Sequence, residues 1–582
     1  MTSPLKVGAS VGGNSARRRS TSIWDQWGGM RTRTHRRTRS GRSPGVTTRL
    51  VPLAAALLLA PGPGLASQGD RALAETSAFE VEARDGAVLR GHVTLPDGQA
   101  PFATILELSP YFNTQLGGPT DQGPTSGAQE QYLDAGFAIA QINMRGSGLS
   151  DGCLQFGNEV DRKDAYEVVE TLARQPWSNG NIGMIGHSYS AWSQYMAVAA
   201  DPPSLKAVIP TSGISDPWEL LTRRGAPIHY GPLLAPVWSV ATGWAANENN
   251  AEHVCADLYA THVAGTSDLI VTGDRTPYWA ERNLRPALRN TDVAVWRSNG
   301  LNYWGEGHWQ SYDGEWQLLN PDRTRMILGQ WSHETPTSAT DDWYERTIAW
   351  FDHHLRGGAT PPESGVVEFQ DTAGKWHTAS SWPPSAQDEA LYLSGTSLVK
   401  NKKDVAESQQ AFVTMPGVEP GAVCGGHQAF YVSPPLKEDV VLAGYFEAKL
   451  TVTSTQPGGN LVGVLRHLPD EIPCGADHSD ITSMLTDTPE TAVGHLQMDL
   501  RHWKTPGEHQ DFPVAEATTV KAPSGPFAAF VPAGHRLVLF LGGGSAELEP
   551  DQFQPQIVIS TGEGLAGSIH IPVVKGGLRF GG

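Results

Sequence analysis

The sequence contains few cysteines and no long apolar run. Its 582 residues include four cysteines, Cys153, Cys255, Cys424 and Cys474, and none of them forms the C-x-x-C spacing of zinc or thioredoxin-like sites. No apolar run approaches the roughly 18 to 20 residues of a membrane-spanning helix. With 39% hydrophobic residues the chain is too apolar for a disordered protein, and its 64 glycines lack the three-residue period of collagen. A globular protein of several structural units remains.

Basic residues are scarce after residue 50. Residues 1–50 contain Lys6 and ten arginines against one acidic residue, Asp25. The rest of the chain has 32 basic and 60 acidic residues, a net charge of -28, compared with -18 for the whole sequence. Nucleic-acid binding relies on Lys and Arg side chains that neutralise phosphates. This acidic body therefore argues against a nucleic-acid partner.

The basic head has the features of an export signal. It is followed by the apolar run Val51 to Ala60, then by Pro and Gly residues, and then by Ala72-Leu73-Ala74, which has the form of an A-x-A cleavage site. Such a short apolar run suits a cleaved signal peptide and not a membrane anchor. We predict that residues 1–74 form a basic extension and signal peptide and that the mature protein is secreted. A disordered basic tail before a cytosolic enzyme is the alternative.

From about residue 79 the pattern alternates strands and helices, as a mostly parallel sheet covered on both faces requires. One amphipathic helix is predicted from Asn158 to Arg174, with Asn158 as its N-cap. Another runs from Asp341 to Arg356 and ends at Gly357-Gly358. The predicted strands are Phe79 to Arg84, Val88 to Leu95, Ala103 to Leu108, Phe137 to Ile142, Ile182 to Ile185, Ala207 to Pro210, Val293 to Trp296 and Arg325 to Leu328.

The alternation of strands and helices is interrupted by one segment, and further along the chain a pattern of short strands replaces it. Residues 216–291 are rich in Trp, Pro and short helical patterns, and we predict an inserted helical cap there. After Pro361-Pro362 short strand candidates are separated by Gly, Pro, Asn and Asp, a pattern typical of a β sandwich. We therefore predict an α/β domain at 75–215 and 292–360 and an all-β domain at 363–582.

Export would favour disulfide formation between the four cysteines. Four cysteines allow three connectivities, and the sequence leaves these open. The domain boundaries favour pairing of Cys153 with Cys255 and of Cys424 with Cys474.

The sharpest local signal for chemistry is the segment Ile182 to Ala191, IGMIGHSYSA. A predicted strand runs directly into Ser188, which opens a helix. This is the context of a nucleophile elbow, a sharp turn that exposes the serine hydroxyl at the carboxyl edge of a sheet. Small residues are needed around that turn, and Gly186 and Ala191 meet the need. The alternative is that Ser188 merely caps the helix.

Several segments resemble those of one known family, in the same order, over about residues 79–582. In addition to the elbow they are Ser109-Pro110-Tyr111, Met144 to Gly152 (MRGSGLSDG), Gln175-Pro176-Trp177, Pro277 to Arg282 (PYWAER), Gly329 to His333 (GQWSH) and Ser381 to Pro384 (SWPP). In them the chain resembles the cocaine esterase and Xaa-Pro dipeptidyl-peptidase family of serine hydrolases (peptidase family S15, CocE/NonD). The resemblance implies an α/β fold: an α/β-hydrolase domain with an inserted helical cap, followed by an all-β jelly-roll (galactose-binding-like) domain.

The resemblance also implies the roles of individual residues. Ser188 would be the nucleophile and His333 the general base. Their positions agree with this, because His333 follows the predicted strand Arg325 to Leu328 and parallel strands end at the same edge of a sheet. The oxyanion hole would consist of the backbone N–H of Tyr189 and the hydroxyl of Tyr111.

The third member of the triad is where the resemblance fails. The family has an acid after the strand that is here Val293 to Trp296, in a Gly-x-x-Asp context, but Tyr303 occupies the Asp position. A neutral phenol can orient an imidazole but does not stabilise its cation as a carboxylate does. Glu306 is the preferred substitute and Asp313 the second choice, while another acid or none stays open.

The predicted function is that of an exported serine hydrolase that works through an acyl-enzyme, and no metal or organic cofactor is implied. An Xaa-Pro dipeptidyl-peptidase is preferred, and an esterase or acylase of the cocaine-esterase type is the alternative. The expected partner is a small-molecule or short-peptide substrate, without a stable membrane anchor. Because Tyr303 replaces the acid, a catalytically impaired protein that binds carbohydrate or a partner is the rival from another class.

Overall fold

The computed structural model describes most of the chain after residue 75. The described residues are 76–112, 127–228, 255–289, 291–301, 315–333, 335–336, 340–358, 363–418, 420, 426–469, 491–545, 548 and 552–581. The predicted signal peptide lies outside them, as do Cys424 and Cys474. None of the helices in these ranges is long and apolar enough to cross a membrane.

Helices and strands alternate in the first part of the described chain. The α-helices found there are α1 (Gly127–Asp134), α2 (Glu159–Ala173), α3 (Tyr189–Ala200), α4 (Pro217–Leu221), α5 (Ala256–Val271), α6 (Pro277–Arg282), α7 (Arg285–Leu288) and α8 (Trp343–Arg356). The strands are β1 (Thr76–Glu82), β2 (Val88–Thr94), β3 (Phe102–Ser109), β4 (Ala138–Asn143), β5 (Ser178–His187), β6 (Leu205–Thr211), β7 (Thr222–Arg223), β8 (Ala226–Pro227), β9 (Ala294–Gly300), β10 (Thr324–Gly329), β11 (Val366–Gln370) and β12 (Trp376–Ala379).

Ten of these strands form one sheet, in the order β1-β2-β4-β3-β5-β6-β9-β10-β11-β12. Within the run of strands from β4 to β11 in this order, every adjacent pair is parallel. Strands β1 and β2 at one end and β12 at the other are paired antiparallel. The prediction of a mostly parallel sheet is confirmed, and every predicted strand overlaps an observed one. The carboxyl ends of β3, β5 and β10 therefore meet at one edge of the sheet.

Helices cover both faces of this sheet. Along β3, Ile105 packs into a cluster with residues of α1 and α8, whereas Leu106 packs into a cluster with residues of α2 and α3. Alternate side chains of a strand point to opposite faces, so the two helix pairs lie on opposite sides. Helix α2 begins where predicted, because the Asn158 side chain accepts hydrogen bonds from the backbone N–H groups of Val160 and Asp161.

The sheet continues into the range predicted for the all-β domain. Strand β11 pairs in parallel with β10, and β12 pairs with β11, so residues up to Ala379 are part of the first sheet. The sequence shows the change of composition at Pro361-Pro362, but it does not show which strand β11 will pair with. Hydrogen-bonding partners across long sequence separations are a property of the tertiary structure.

The remaining strands form the all-β domain. Thirteen strands make up one hydrogen-bonded set there. They are β13 (Gln387–Ser394), β14 (Ser397–Val399), β15 (Ser408–Val413), β16 (Gln428–Val432), β17 (Val440–Gly444), β18 (Glu447–Ser454), β19 (Asn460–Leu468), β20 (Ala492–Asp499), β21 (Thr518–Pro523), β22 (Phe527–Val531), β23 (Arg536–Gly542), β24 (Gln556–Thr561) and β25 (Gly567–Lys575). Their inward side chains share one hydrophobic core, which confirms the predicted all-β class.

The predicted cap contains helices α4 to α7 and the short hairpin of β7 and β8, with residues 229–254 outside the described ranges. A disulfide between Cys153 and Cys255 joins the start of α5 to the segment after β4, which confirms one of the two favoured pairings. The two cysteines are 102 residues apart in sequence. In the loop-entropy model, closing a loop of about 100 residues stabilises the fold by about 4 to 5 kcal/mol.

The other end of α5 is held by the all-β domain. The backbone N–H of Arg275 donates to the carbonyl oxygen of Gly507 over 3.0 Å. An imidazole nitrogen of His502 lies 2.7 Å from the carbonyl oxygen of Thr272, and Arg501 donates to the carbonyl oxygen of Val271 over 2.7 Å. The helix is thus bound covalently at its start and by polar contacts at its end.

Candidate active site

Ser188 lies in a strained turn between β5 and α3. Its φ is 61° and its ψ is -120°. A non-glycine residue with positive φ costs on the order of 1 to 3 kcal/mol and persists only where the surroundings hold it. The absence of a side chain at Gly186 makes the turn possible, because a Cβ atom there would lie 2.6 Å from the Cβ of Ser190. The conformation is that of the predicted nucleophile elbow.

Backbone hydrogen bonds hold the elbow in place. The N–H of Ser188 donates to the carbonyl oxygen of Thr211 at the end of β6, over 3.0 Å. The carbonyl oxygen of Ser188 accepts from the N–H groups of Ala191 and Trp192 over 2.9 and 3.0 Å. The backbone groups of Ser188 are therefore used in the fold, while its hydroxyl group lies at the carboxyl edge of the sheet.

Tyr111 lies directly beside the Ser188 hydroxyl. Its phenolic oxygen is 3.4 Å from Oγ of Ser188, and it also accepts a hydrogen bond from the backbone N–H of Tyr189 over 3.3 Å. The two groups predicted for the oxyanion hole therefore converge at the serine. An oxygen that develops negative charge next to Oγ would be within reach of both donors.

A short chain of hydroxyl groups sets the position of Tyr111. The backbone N–H of Tyr111 donates to Oγ of Ser109, the last residue of β3, over 3.1 Å. That same oxygen accepts a hydrogen bond from the hydroxyl of Ser190 in the first turn of α3, over 2.9 Å. The segment after β3 and the helix after Ser188 are thus connected through Ser109.

His333 follows β10 and packs against the residue that precedes Ser188. The centroids of the imidazole rings of His333 and His187 are 4.3 Å apart. Desolvation by burial, and secondarily the nearby His187, lower the pKa of His333 from 6.5 to about 3. Burial thus keeps the imidazole neutral, as a proton acceptor must be, but the same shift makes it a weaker base, and a carboxylate partner would counteract that shift.

The segments after β9 and β10 lie very close together. A Cβ atom on Gly300, the last residue of β9, would be 2.1 Å from the carbonyl oxygen of Trp331. The backbone N–H of Leu301 donates to the carbonyl oxygen of Gly329 over 2.7 Å. The chain that carries the predicted acids thus starts next to the segment of His333. Tyr303, Glu306 and Asp313 themselves lie outside the described residues.

A buried ion pair close to α3 was not predicted from the sequence. Nε of Arg297 in β9 is 3.0 Å from Oε2 of Glu315, and both side chains are fully buried. Oε2 of Glu315 also accepts from the hydroxyl of Tyr195 in α3 over 3.3 Å, and Arg297 donates to the carbonyl oxygen of Gly213 over 2.8 Å. Breaking a buried pair by removing one partner is strongly destabilising. An arginine inside the apolar strand AVWRSNG was the available signal.

His187 was also missed, because a histidine before the elbow serine carries no pattern of its own. His187 and His333 are 146 positions apart in the sequence, and they come into contact only because the parallel sheet brings their two segments together. Within the described ranges, no group of three or more His, Cys, Asp or Glu residues is placed to hold a metal ion.

The fold and the site define a class. A mostly parallel sheet with a strained serine between strand and helix, two hydrogen-bond donors beside it and a histidine after a later strand is an α/β-hydrolase of the serine hydrolase type. A family model described as X-Pro dipeptidyl-peptidase (S15 family) matches residues 85–335, and one described as the X-Pro dipeptidyl-peptidase C-terminal non-catalytic domain matches residues 358–551. Residues 85–335 thus match the S15 family, and the two models together match most of the chain.

Relatives with both peptidase and esterase names are similar to this chain. A Streptomyces avermitilis protein with the provisional name Xaa-Pro dipeptidyl-peptidase is 24% identical over 555 residues, which cover 82% of this chain and 78% of that protein. The cocaine esterase of Rhodococcus sp. (strain MB1 Bresler) is 26% identical over 366 residues, which cover 54% of this chain and 62% of the esterase.

Solved structures share the fold. The crystal structure of an aminopeptidase from a marine sediment archaeon (Thaumarchaeota archaeon) superposes with a TM-score of 0.70. The match covers 86% of this chain and 97% of the aminopeptidase, at 17% sequence identity. The similarity therefore extends over both the α/β and the all-β parts of the chain.

Proposed function

We propose that the protein is an exported serine hydrolase that acts through an acyl-enzyme and that it prefers Xaa-Pro dipeptidyl-peptidase substrates. The observation that carries the proposal is the strained backbone of Ser188 with the Tyr111 hydroxyl 3.4 Å from its Oγ. A serine that only capped a helix would need neither the positive φ nor a second donor at its hydroxyl.

The proposed chemistry uses groups of this chain alone. Neutral His333 accepts the proton of the Ser188 hydroxyl while Oγ attacks the substrate carbonyl carbon. The carbonyl oxygen becomes negative and accepts hydrogen bonds from the Tyr111 hydroxyl and the Tyr189 N–H. Cleavage of the scissile bond leaves the acyl group on Ser188, and the leaving group takes the proton from His333. A water molecule then releases the acid by the same steps.

Labelling with a fluorophosphonate probe tests the nucleophile. An activated serine reacts with the probe covalently, whereas a capping serine does not. We expect the wild-type protein to be labelled and Ser188→Ala to lose both labelling and turnover, the latter by roughly 10⁵-fold or more. Labelling that persists in Ser188→Ala would reject Ser188 as the nucleophile.

For the acid we keep Glu306, with Asp313 as the second candidate. The two candidates differ in their separation along the chain from Glu315, whose carboxylate contacts Arg297 and Tyr195. Asp313 is two residues before Glu315, and Glu306 is nine residues before it. Glu306→Gln and Asp313→Asn should be compared directly. The variant that removes the triad acid should lower kcat by at least about a hundredfold and leave the melting temperature nearly unchanged. If neither variant does so, both assignments fail.

The preference for Xaa-Pro substrates rests on the family model and on the names of relatives, and the esterase alternative rests on the similarity to cocaine esterase. Comparing kcat/KM for a glycyl-prolyl anilide and for an aryl ester of a small acid decides between them. The dipeptidyl-peptidase assignment requires the anilide to be cleaved and a chain with a blocked amino terminus to be resistant. Cleavage of the ester but not of the anilide would favour the esterase alternative.

Export is proposed from the sequence of residues 1–74 and is supported by the disulfide between Cys153 and Cys255. Expression of the full chain in a bacterial host, followed by amino-terminal sequencing of the protein in the culture fluid, tests it. We expect cleavage after Ala74. Protein that stays in the cytosol with residues 1–74 attached would contradict the proposal.

The binding function of another class has one observation in its favour, a groove of about 730 Å³ in the all-β domain. Lys402, Lys403 and Lys449 line it together with Tyr392 and Ser568. Residues opposite one another on antiparallel strands face the same side, and Ser568 lies opposite both Lys449 and Tyr392. The groove also contains one acid, Glu563, but its three lysines outnumber it, and cations together with hydroxyl groups suit an acidic carbohydrate.

Affinity electrophoresis in gels that contain polygalacturonate tests the groove, with neutral dextran as the reference polymer. Binding predicts retardation by polygalacturonate only, lost in the triple variant with Lys402, Lys403 and Lys449 changed to Gln. A triple variant with Lys206, Lys375 and Lys437 changed to Gln is the charge-matched control. Equal retardation of the two triple variants would reject the site. Absence of probe labelling together with specific retardation would favour binding over hydrolysis.

A further inference from the structure

Gln330 connects the segment of His333 to two different parts of the molecule. It is the first residue after β10 and stands three positions before His333. Its side-chain amide donates one hydrogen bond to the carbonyl oxygen of Gln370 over 2.7 Å and another to the carbonyl oxygen of Ala528 over 3.1 Å. Gln370 ends β11 of the first sheet, whereas Ala528 belongs to β22 of the all-β domain.

The contact with Gln370 is reciprocal. The backbone N–H of Gln330 donates to the side-chain oxygen of Gln370 over 3.1 Å, while the side chain of Gln330 donates to the backbone of Gln370. Two antiparallel hydrogen bonds between the same residues fix both the position and the orientation of the backbone at Gln330. The side chain of Gln330 is thereby held in the direction of Ala528.

Only a rigid connection would transmit this position to His333, and the intervening residues supply one. Trp331 is 4% exposed, and its N–H donates to the carbonyl oxygen of Gly329 over 2.9 Å. A Cβ atom on Gly329 would lie 1.9 Å from the Trp331 ring, so the turn is closely packed. The ring centroid of Trp331 is 6.3 Å from that of Trp376 in β12.

The all-β side of the contact is equally fixed. Ala528 is 3% exposed and packs in one hydrophobic cluster with Leu328 of β10, Phe369 of β11 and Trp382. Strand β22 is paired with β17 through Ala528 and Ala443. The carbonyl group that accepts from Gln330 is therefore part of a buried, paired strand and cannot easily follow a moving loop.

We infer that Gln330 is a positioning residue for the general base, and that through it the all-β domain takes part in catalysis. This inference rests on the proposed function, in which His333 accepts the proton of Ser188. A misplacement of about 1 Å in a reacting group can reduce turnover on the order of a hundredfold. A connection that holds the segment of His333 between β11 and β22 is suited to prevent such a misplacement.

The test compares Gln330→Met with Thr372→Val. Methionine keeps the volume of the side chain and removes both donors. Thr372 is a matched control because its hydroxyl also connects the first sheet to β22: it accepts from the N–H of Phe530 over 3.0 Å, and it is not continuous with the segment of His333. Both variants lose a side-chain contact to the same strand, but only one of them disturbs the base.

We expect Gln330→Met to lower kcat by about tenfold to a hundredfold with KM within about twofold, and to slow fluorophosphonate labelling of Ser188 by a similar factor. Thr372→Val should keep kcat and the labelling rate of the wild type. A purely structural role would lower the melting temperature of both variants alike and leave kcat of the folded protein unchanged, and that result would overturn the inference.

A second variant, and probe labelling of the wild-type protein, separate the possible outcomes of this test. If Gln330→Met does not fold, Gln370→Met removes the acceptor for the Gln330 N–H and leaves the Gln330 side chain in place. It should lower kcat in the same direction, and wild-type kcat in that variant would overturn the inference. A wild-type protein that the probe does not label would reject the proposed function itself, whereas normal labelling of both wild type and Gln330→Met would reject only the positioning role.

Discussion

The proposed nucleophile, Ser188, and the proposed base, His333, are held in different ways. Ser188 is held by backbone hydrogen bonds to Thr211 at the end of β6 and to Ala191 and Trp192 in α3, all within the α/β domain. His333 follows a segment held by Gln370 in β11 and by Ala528 in the all-β domain. One half of the site is thus built by the α/β fold itself, and the other half depends on a second domain.

This difference has a physical cause. A nucleophile elbow is a local turn whose strain is balanced by a few short contacts, and a glycine in the right place is enough to allow it. A base on a loop has no local structure that fixes it, so its position must come from packing against other elements. We therefore expect substitutions on the nucleophile side to act locally and substitutions on the base side to act over longer distances.

Among the substitutions that leave the Ser188 hydroxyl in place, filling the elbow should have a large effect. In Gly186→Ala the added methyl group would lie 2.6 Å from the Cβ of Ser190, so Ser188 must move. We expect kcat/KM to fall by at least about a hundredfold, measured with the substrate that the wild type cleaves. Gly426→Ala is the control, because none of the described residues lies within 4 Å of its new Cβ. Wild-type activity in Gly186→Ala would refute the local account of the elbow.

Removal of the phenolic hydroxyl should come next. Tyr111→Phe keeps the ring and removes one of the two proposed oxyanion donors, and the loss of such a donor costs about a hundredfold to a thousandfold in kcat. KM should change little, since the charge that the hydroxyl stabilises develops only in the transition state. Tyr166→Phe in α2 is the matched control. An unchanged kcat in Tyr111→Phe would remove Tyr111 from the oxyanion hole.

The base should respond to pH in a direction that burial sets. In the proposed mechanism the neutral imidazole is the active form, and burial lowers the pKa of His333 from 6.5 to about 3. The acid limb of the profile of kcat/KM against pH should therefore lie below pH 6.5. Because His187 contributes to the lowering, His187→Gln should move this limb to higher pH by a fraction of a unit. A limb at or above pH 6.5 would show that a carboxylate partner outweighs burial.

The smallest effect should be one of stability without loss of activity. Burial raises the pKa of the Asp161 carboxyl in α2 from 3.8 to about 7. A carboxyl whose pKa is higher in the folded protein stabilises it at low pH, and this contribution is lost as pH rises from about 4 towards 7. In the wild type the free energy of unfolding should fall by at most about 1.4 kcal/mol per pH unit for this reason, and in Asp161→Asn this fall should be absent.

Thermal unfolding of Asp161→Asn and wild type between pH 4 and pH 8 measures this. The variant should gain stability relative to the wild type as pH rises within the window, while kcat stays within about twofold. A parallel course of the two curves would show that Asp161 keeps an ordinary pKa in the folded protein.

Much of the fold could be predicted because its signals are local. Every strand predicted for the first sheet was found, and the N-cap of α2 at Asn158 was confirmed by its hydrogen bonds to Val160 and Asp161. The disulfide between Cys153 and Cys255 was confirmed as well, although it is not local: the domain boundaries only favoured this pairing over the other connectivities. These features depend on hydrophobic periodicity, capping and chain order, all of which can be read along the sequence.

The missed features all depend on residues far apart in the chain. The pairing of β11 with β10, the contact of His187 with His333 and the ion pair of Arg297 with Glu315 have no local pattern. Each forms only when the sheet has brought separate segments together, and a buried charge is tolerated only once its partner is in place. The same holds for the contact of Gln330 with Ala528 across two domains.

The amino-acid sequence by itself determined the type of each element, the small residues that permit the elbow and the order in which the functional segments follow one another. These depend on backbone geometry and on the spacing of apolar side chains over a few residues. The tertiary structure alone decided which strand ends meet, how Tyr111 approaches Ser188 and why the surroundings of His333 favour its neutral form. Such relations arise from burial and close packing, and neither exists until the chain has folded.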